Sequence, residues 1–157
     1  MSTTIINYDA VVQELIKGIQ INDNRDMAPR LGLDKTDWRY YSELRTVGFS
    51  VPRQLGASGW LVNQFIRHPL GEALVVVANR PMRQLFLTRL DERDAFKHSR
   101  PHVIVADKAN LANLHHTYRY VYIEDASHVF ANQIKHAPFH RALAPHVTEN
   151  VVIVRVN

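Results

Sequence analysis

Five strand-like runs recur from residue 45 onward, and segments with helical spacing of apolar residues separate them. The runs cover residues 45–51, 73–78, 102–106, 118–123 and 151–156. The run Ala73-Leu-Val-Val-Val-Ala78 has no polar position, which is typical of a strand buried on both faces. Strands that alternate with helices indicate parallel pairing, because parallel neighbours need a crossover between them. The sequence therefore predicts a three-layer α/β fold with a mostly parallel, five-stranded sheet.

The spacing of apolar residues also predicts the helices. Within the sheet region they cover residues 58–68, 81–90, 108–115 and 130–143, the last interrupted near Pro138. Upstream, residues 8–20 form a helix, 21–36 a polar loop, and 36–44 a short helix capped by Thr36 or Asp37. We therefore divide the chain into an N-terminal helical extension, residues 1–44, and a core domain, residues 45–157.

Composition narrows the class of protein. The chain has 157 residues, of which 46% are hydrophobic and 22% charged, and this is typical of one globular domain. It has no cysteine, which excludes disulfides and thiolate chemistry. No apolar run approaches the roughly 20 residues that span a bilayer, and the first residues do not resemble a secretory signal. We expect a cytoplasmic protein without a membrane partner.

The net charge is +4 and the isoelectric point is about 9.6. A basic balance of this kind is one footprint of a nucleic-acid partner. It is equally typical of a solvated basic surface, and charge alone leaves both interpretations open.

Ligands of parallel sheets bind beyond the carboxyl ends of the strands, so the segment after the first strand is a candidate site. A P-loop reads G-x-x-x-x-G-K-[ST] in this setting. Gly56 and Ser58 match its second glycine and its hydroxyl, whereas Val51 and Ala57 replace the first glycine and the lysine. Backbone N–H groups here would still form an anion cradle. The alternative is a plain strand–turn–helix junction.

A second candidate follows the fourth strand, where Glu124 and Asp125 are adjacent acids. An apolar strand that ends in paired acids resembles a Walker B motif. In such a motif one acid holds the shell of a Mg²⁺ ion and the next polarises the attacking water. The alternative is a helix N-cap at Asp125 or Ser127.

Together, Pro52-Arg-Gln-Leu-Gly-Ala-Ser-Gly-Trp60, residues 73–80 and Val121-Tyr-Ile-Glu-Asp-Ala-Ser127 resemble the core of small P-loop ATPases of phage and viral type. The resemblance covers residues 45–157. It implies ATP and Mg²⁺ as ligands, Ser58 and Glu124 as metal ligands, and Asp125 as the catalytic residue. It also implies work in DNA packaging, replication or repair, with nucleic acid and a protein partner or second copy as partners. The implied nucleotide-binding residues are Pro52, Arg53, Gln54, Leu55, Gly56, Ala57 and Ser58.

Two departures from the family pattern bear on activity. Ala57 occupies the lysine position, and Glu-Asp replaces the usual Asp-Glu or Asp-Asp. Arg53 offers another cation, although an arginine is not geometrically equivalent to the lysine. Three interpretations remain: a weak or partner-dependent ATPase, an inactive pseudo-ATPase that serves as a binding or regulatory module, and an unrelated α/β domain.

Other polar residues predict less specific roles. Asn79 and Arg80 follow the second strand, and Asp107 and Lys108 follow the third. We interpret these four as helix caps and surface charge rather than as the lining of a ligand cleft. Histidines also recur four residues apart at 136 and 140, but no H-E-x-x-H motif accompanies them, and we expect no zinc site there.

Overall fold

The computed structural model describes residues 6–52, 55–93 and 97–157. The strands are β1 (Thr46–Phe49), β2 (Ala73–Val77), β3 (Val103–Val105), β4 (Tyr118–Glu124) and β5 (Val147–Val156). The α-helices are α1 (Tyr8–Asn24), α2 (Met27–Arg30), α3 (Ala57–Arg67), α4 (Arg80–Glu92), α5 (Lys108–Ala112), α6 (Ala126–His128) and α7 (His136–Leu143). Shorter helical segments are Tyr40–Leu44 and Val129–Gln133, which are π-helical, and Lys97–His102 and Ala144–His146, which are 3₁₀-helical.

The five strands form one sheet in the order β1-β5-β4-β2-β3. All four neighbouring pairs are parallel. The predicted α/β class with a five-stranded parallel sheet is therefore confirmed. The last strand inserts between β1 and β4, so the two segments that carry the candidate site follow strands that are not neighbours.

Side chains alternate between the two faces of the sheet, as the pleat of a strand requires. Leu74, Val121 and Ile153 face one core, which Tyr40–Leu44, α5 and α7 help to cover. The neighbouring positions Val75, Tyr122 and Val154 face a second core that contains side chains of α1, α3 and α4. Helices thus cover both faces, and the fold has three layers.

The N-terminal segment packs onto both sides of this sheet. Val12 of α1 is buried in the core beneath α3 and α4. Tyr40, Tyr41 and Leu44 are buried in the other core. The segment therefore contributes side chains to both cores. The predicted boundary at residue 45 marks the place where the chain enters the sheet.

The side chain of Arg45 links the start of β1 to α1 and β5. Its side chain is 5% exposed, and its Nε and Nη2 donate to the carbonyl oxygens of Val151 and Asn150 at 3.0 and 2.9 Å. Its Nη1 contacts both carboxylate oxygens of Asp23 at 3.0 and 2.9 Å. The same guanidinium thus joins α1 to the backbone of β5.

Several helices differ from the sequence-based prediction. Residues 27–30 are helical within the predicted loop. The predicted helix 130–143 begins earlier, at Ala126, and is broken at Ile134, whose φ of −150° and ψ of 139° are extended. The predicted interruption near Pro138 is thus present but lies at Ile134, and Pro138 itself is in the first turn of α7, where its missing N–H costs no hydrogen bond. The predicted helix 36–44 is π-helical and begins only at Tyr40, where the N-cap residue Arg39 makes no side-chain capping bond. The Asp37 carboxylate accepts from the Arg39 N–H at 2.9 Å just before it.

Strand β3 forms one edge of the sheet, and two side chains donate hydrogen bonds to carbonyl oxygens on its unpaired side. The Val103 oxygen accepts from Arg83 Nε at 2.6 Å, and the Val105 oxygen accepts from Asn110 Nδ2 at 3.0 Å. Such contacts satisfy backbone groups that an edge strand otherwise exposes. None of the described helices is both long and apolar enough to cross a bilayer.

Replacing Arg45 tests the attachment of the N-terminal segment. We expect Arg45→Met to lower the free energy of unfolding by about 2 kcal/mol, because two backbone carbonyl groups lose their donors. The ion pair itself contributes little, since the Asp23 side chain is 55% exposed. Lys17→Met, which breaks the exposed pair with Glu14, is the control and costs less than about 0.5 kcal/mol. Equal losses in urea denaturation would contradict this account.

Candidate functional site

The loop after β1 turns into α3 at Gly56. This residue has φ of 84°, in the left-handed region that glycine adopts at no steric cost. None of the described side chains caps α3, and the first turn of this 11-residue helix lies at the carboxyl edge of the sheet. Of the predicted loop residues, Ala57 and Ser58 lie in the first turn of α3, whereas Arg53 and Gln54 lie outside the described residues.

Ser58 and Glu124 meet across this edge. Ser58 Oγ donates a hydrogen bond of 2.8 Å to Glu124 Oε1. Glu124 is the last residue of β4, and its side chain lies on the same face as that of Tyr122, the face that α3 covers. The helix therefore brings its first turn over β5 and onto the end of β4. The two metal ligands implied by the resemblance are in direct contact.

Glu124 is buried, with 6% of its surface exposed. This burial raises the pKa of its carboxyl group, and the negative charge of Asp125 adds to the rise. The Ser58 hydroxyl and the positive charge of Arg89 act in the opposite direction. The carboxyl group is thus held in an environment that disfavours its charge, as is common at functional sites.

Asp125 adopts a strained backbone conformation. Its φ is 53° and its ψ is 53°, in the left-handed region that residues other than glycine rarely occupy. It stands at the N-cap position of α6, but its side chain makes no capping hydrogen bond. The cap that was the alternative for Asp125 is therefore not formed. Backbone strain of about 1 kcal/mol at such a position is typical of functional sites.

Asn157 hydrogen-bonds to two segments at this edge of the sheet, and none of the sequence motifs singled it out. Its Oδ1 accepts from the N–H and the hydroxyl of Ser127 at 2.7 and 2.9 Å. Its backbone N–H donates to Phe49, and its carbonyl oxygen accepts from Val51, at 3.0 and 3.2 Å. The segment after β4 is thereby fastened to the start of the loop after β1. A polar residue that directly follows an apolar strand was the available signal.

The N-terminal helix supports the loop from outside. The Tyr8 hydroxyl donates to the carbonyl oxygen of Leu55 at 2.6 Å, and its ring packs against Phe49 and Trp60. Trp60 Nε1 donates in turn to Asp9 at 2.8 Å. These contacts join α1, the end of β1 and α3. A tyrosine far from the loop in sequence carries no local signal for such a role.

The other polar candidates serve mainly as caps. Asn79 accepts from the Met82 N–H at 3.0 Å, and Asp107 accepts from the Asn110 N–H at 2.7 Å, which confirms the predicted capping. Arg80 and Asp107 also line a groove beside β3, which the sequence analysis gave as the less favoured role.

Comparisons with protein-family models, with curated proteins and with solved structures find no match to this chain.

Replacing the buried acid tests its protonation. Glu124→Gln keeps an oxygen that can accept from Ser58 and removes the charge. Because burial raises the folded-state pKa above the unfolded value, the folded protein holds more protons, and stability falls as pH rises through that window. We expect the variant to be more stable at neutral pH by about 1 kcal/mol. The gain should vanish as pH falls to the ordinary glutamate pKa and below.

Urea denaturation across this pH range measures the effect. Glu92→Gln, at an exposed position of α4, is the control, because it removes a carboxylate that the protein does not bury. If the stability difference between Glu124→Gln and the wild type did not change with pH, the environment of the Glu124 carboxyl group would not disfavour its charge.

Proposed function

We propose that this chain is a P-loop-like protein that binds ATP with Mg²⁺ at the carboxyl edge of its sheet, acts in nucleic-acid processing, and hydrolyses ATP weakly or not at all. The observation that carries the proposal is the 2.8 Å contact between Ser58 and Glu124 beside the left-handed Gly56. A hydroxyl and a carboxylate held together next to an uncapped helix N-terminus suit a metal-bound phosphate chain.

The residues fit these ligands by their chemistry. Mg²⁺ prefers oxygen ligands and is usually bound by one or two carboxylates together with substrate phosphates and water. Ser58 and Glu124 supply one oxygen each, and the first N–H groups of α3 suit phosphate oxygens. Asp125, directly after Glu124, is assigned to orient and polarise the attacking water. Bound Mg²⁺ would supply positive charge against the phosphates.

Hydrolysis is expected to be weak because the side chain of Ala57 carries no charge. In phosphoryl transfer the P-loop lysine offsets charge on the β- and γ-phosphates. A cation from a protein partner or from a second copy of the chain would restore turnover. We propose a cytoplasmic location, which the lack of cysteine suits.

A pseudo-ATPase that works as a binding or regulatory module is the second candidate, and Ala57 favours it. Calorimetric titration with ATP and Mg²⁺, paired with a phosphate-release assay, separates the two. Binding with turnover that DNA stimulates supports the ATPase. Tight binding without turnover supports the module. The lack of any binding would overturn the ATPase and leave a module that does not bind ATP or an unrelated α/β domain.

A basic groove supports the nucleic-acid part of the proposal. It lies along the edge strand β3 and has a volume of about 480 Å³. Arg80, Arg83 and Arg100 line it, and the carboxylate of Asp107 is engaged by Asn110. Arg100 also forms an exposed ion pair with Asp91 at 3.3 Å. Arg83 donates to the carbonyl oxygens of Val103 and Arg100, and neither of these contacts neutralises its positive charge. Guanidinium groups arranged in this way suit a phosphate backbone.

Restoring the missing lysine tests the loop. We expect Ala57→Lys to raise the affinity for ATP with Mg²⁺ about tenfold, since hydrogen bonds to charged groups contribute roughly 1.5 kcal/mol or more. Ser58→Ala should weaken binding in either background. Isothermal titration calorimetry measures both.

Ala112→Lys, at an exposed position of α5, adds the same charge away from the loop and is the matched control. An unchanged affinity in Ala57→Lys, or an equal gain in Ala112→Lys, would count against a phosphate-binding loop.

Removing a groove arginine tests nucleic-acid binding. We expect the wild type to bind DNA with an affinity that falls steeply with salt, because basic contacts release counterions. Arg80→Gln should weaken binding and reduce the salt slope by about one. Arg119→Gln, at an exposed position of β4, is the charge-matched control and should change neither. Fluorescence anisotropy over a salt series measures both, and binding that is absent or insensitive to salt would refute this part.

A further inference from the structure

Arg155 lies on β5, on the opposite face of the sheet from Glu124. It shares its face with Ile153 and is half-buried. Its guanidinium carbon lies 4.8 Å from the centre of the Phe130 ring, and its Nη2 lies 3.0 Å from Nδ1 of His136. The Phe130 and His136 rings stack with centres 3.9 Å apart. A cation therefore sits against two aromatic rings.

The charge of Arg155 has no acidic partner in the described part of the chain. None of the ion pairs found there includes it, and its buried Nε has no hydrogen-bond partner. Since Nδ1 of His136 accepts from the guanidinium, that nitrogen carries no proton. A desolvated charge without a counter-ion is costly, so a protein seldom retains one without a use.

A cavity of about 360 Å³ opens beside this side chain. Its walls include Ser127, Phe130, His136, Arg155 and Asn157. The volume lies within the range of small-ligand pockets, and its described lining contains no acidic side chain. It therefore combines one positive charge, an aromatic side and several polar groups.

Gly48 leaves room next to Arg155. The two residues are partners in the register of β1 and β5. A Cβ atom at Gly48 would lie 3.1 Å from the Arg155 Cβ, closer than side chains ordinarily approach. Glycine at this position therefore keeps the stem of the arginine uncrowded.

We propose that this cavity binds the phosphate group of a nucleotide or of a nucleic-acid strand through the guanidinium of Arg155. A guanidinium donates charge-assisted hydrogen bonds to phosphate oxygens, and the N–H groups of Arg155 that His136 does not engage are suited to this role. The stacked Phe130 and His136 rings offer an apolar surface beside it, which suits the base or sugar attached to such a phosphate. The basic net charge of the chain also favours a phosphate ligand. The site lies on the other face of the sheet from Ser58 and Glu124 and does not depend on the nucleotide site proposed there.

The buried Nε–H provides a direct readout in the wild-type protein. We expect its NMR resonance to shift when inorganic phosphate, AMP or a short oligothymidylate is added. A tighter response to AMP than to phosphate identifies a nucleotide, and a much tighter response to the oligonucleotide identifies a strand. The absence of a shift at Arg155 with all three probes would overturn the proposal.

Variants separate this site from the other one. Arg155→Met keeps the length of the side chain and removes its charge, and we expect at least a tenfold loss of affinity for the probe that binds wild type best, as removal of one charge-assisted contact predicts. Arg119→Met is the charge-matched control and should retain binding. In Ser58→Ala the Arg155 resonance should respond as in wild type, so failure at one site is distinguishable from failure at the other. Binding that survives Arg155→Met would also overturn the proposal, and if that variant does not fold, the wild-type titration decides alone.

Discussion

Burial of the sheet on both faces is the constraint on which the rest of the molecule depends. Each central strand must be apolar along most of its length, and β2 is completely buried. Polar chemistry is therefore displaced to the strand ends and to the first turns of the helices that follow. Glu124 is the exception, a carboxyl group at the end of β4 that remains inside the layer and is satisfied by Ser58. The contact between α3 and β4 thus satisfies a buried polar group and also forms the centre of the candidate site.

The carboxyl edge separates charges of opposite sign. Glu124 lies on one face of β4, and Arg155 lies on the other face of the adjoining strand, one position before the partner of Glu124 in the register. Asn157 connects the two regions through Ser127 and through the backbone at the end of β1. A ligand that moves Ser127 would therefore also disturb the entry to the loop. The edge therefore contains two chemical environments, one acidic and one basic, and the hydrogen bonds of Asn157 connect them.

Much of this architecture was predictable because it depends on local sequence patterns. The alternating runs predicted all five strands, and the acids after the fourth strand together with Gly56 and Ser58 predicted which segments meet. Strand order was not predictable, because insertion of β5 between β1 and β4 depends on contacts far apart in sequence. The roles of Tyr8, Asn157 and Arg155 have the same origin. The break in the helix 130–143 was predicted only approximately, because Pro138 marks the first turn of the helix that follows the break and not the break at Ile134 itself.

The contacts of Arg83 and Asn110 with the outer carbonyl groups of β3 have a consequence for self-association. A foreign strand that approached this margin would find two of its acceptors already taken. Extension of the sheet into a continuous ribbon of stacked molecules is disfavoured there, and the arginines nearby would repel a like-charged copy. Strand-mediated growth would have to start from β1, where the glycine at position 48 is exposed. The two margins of the sheet thus carry unequal risks of uncontrolled polymerisation when the protein is concentrated.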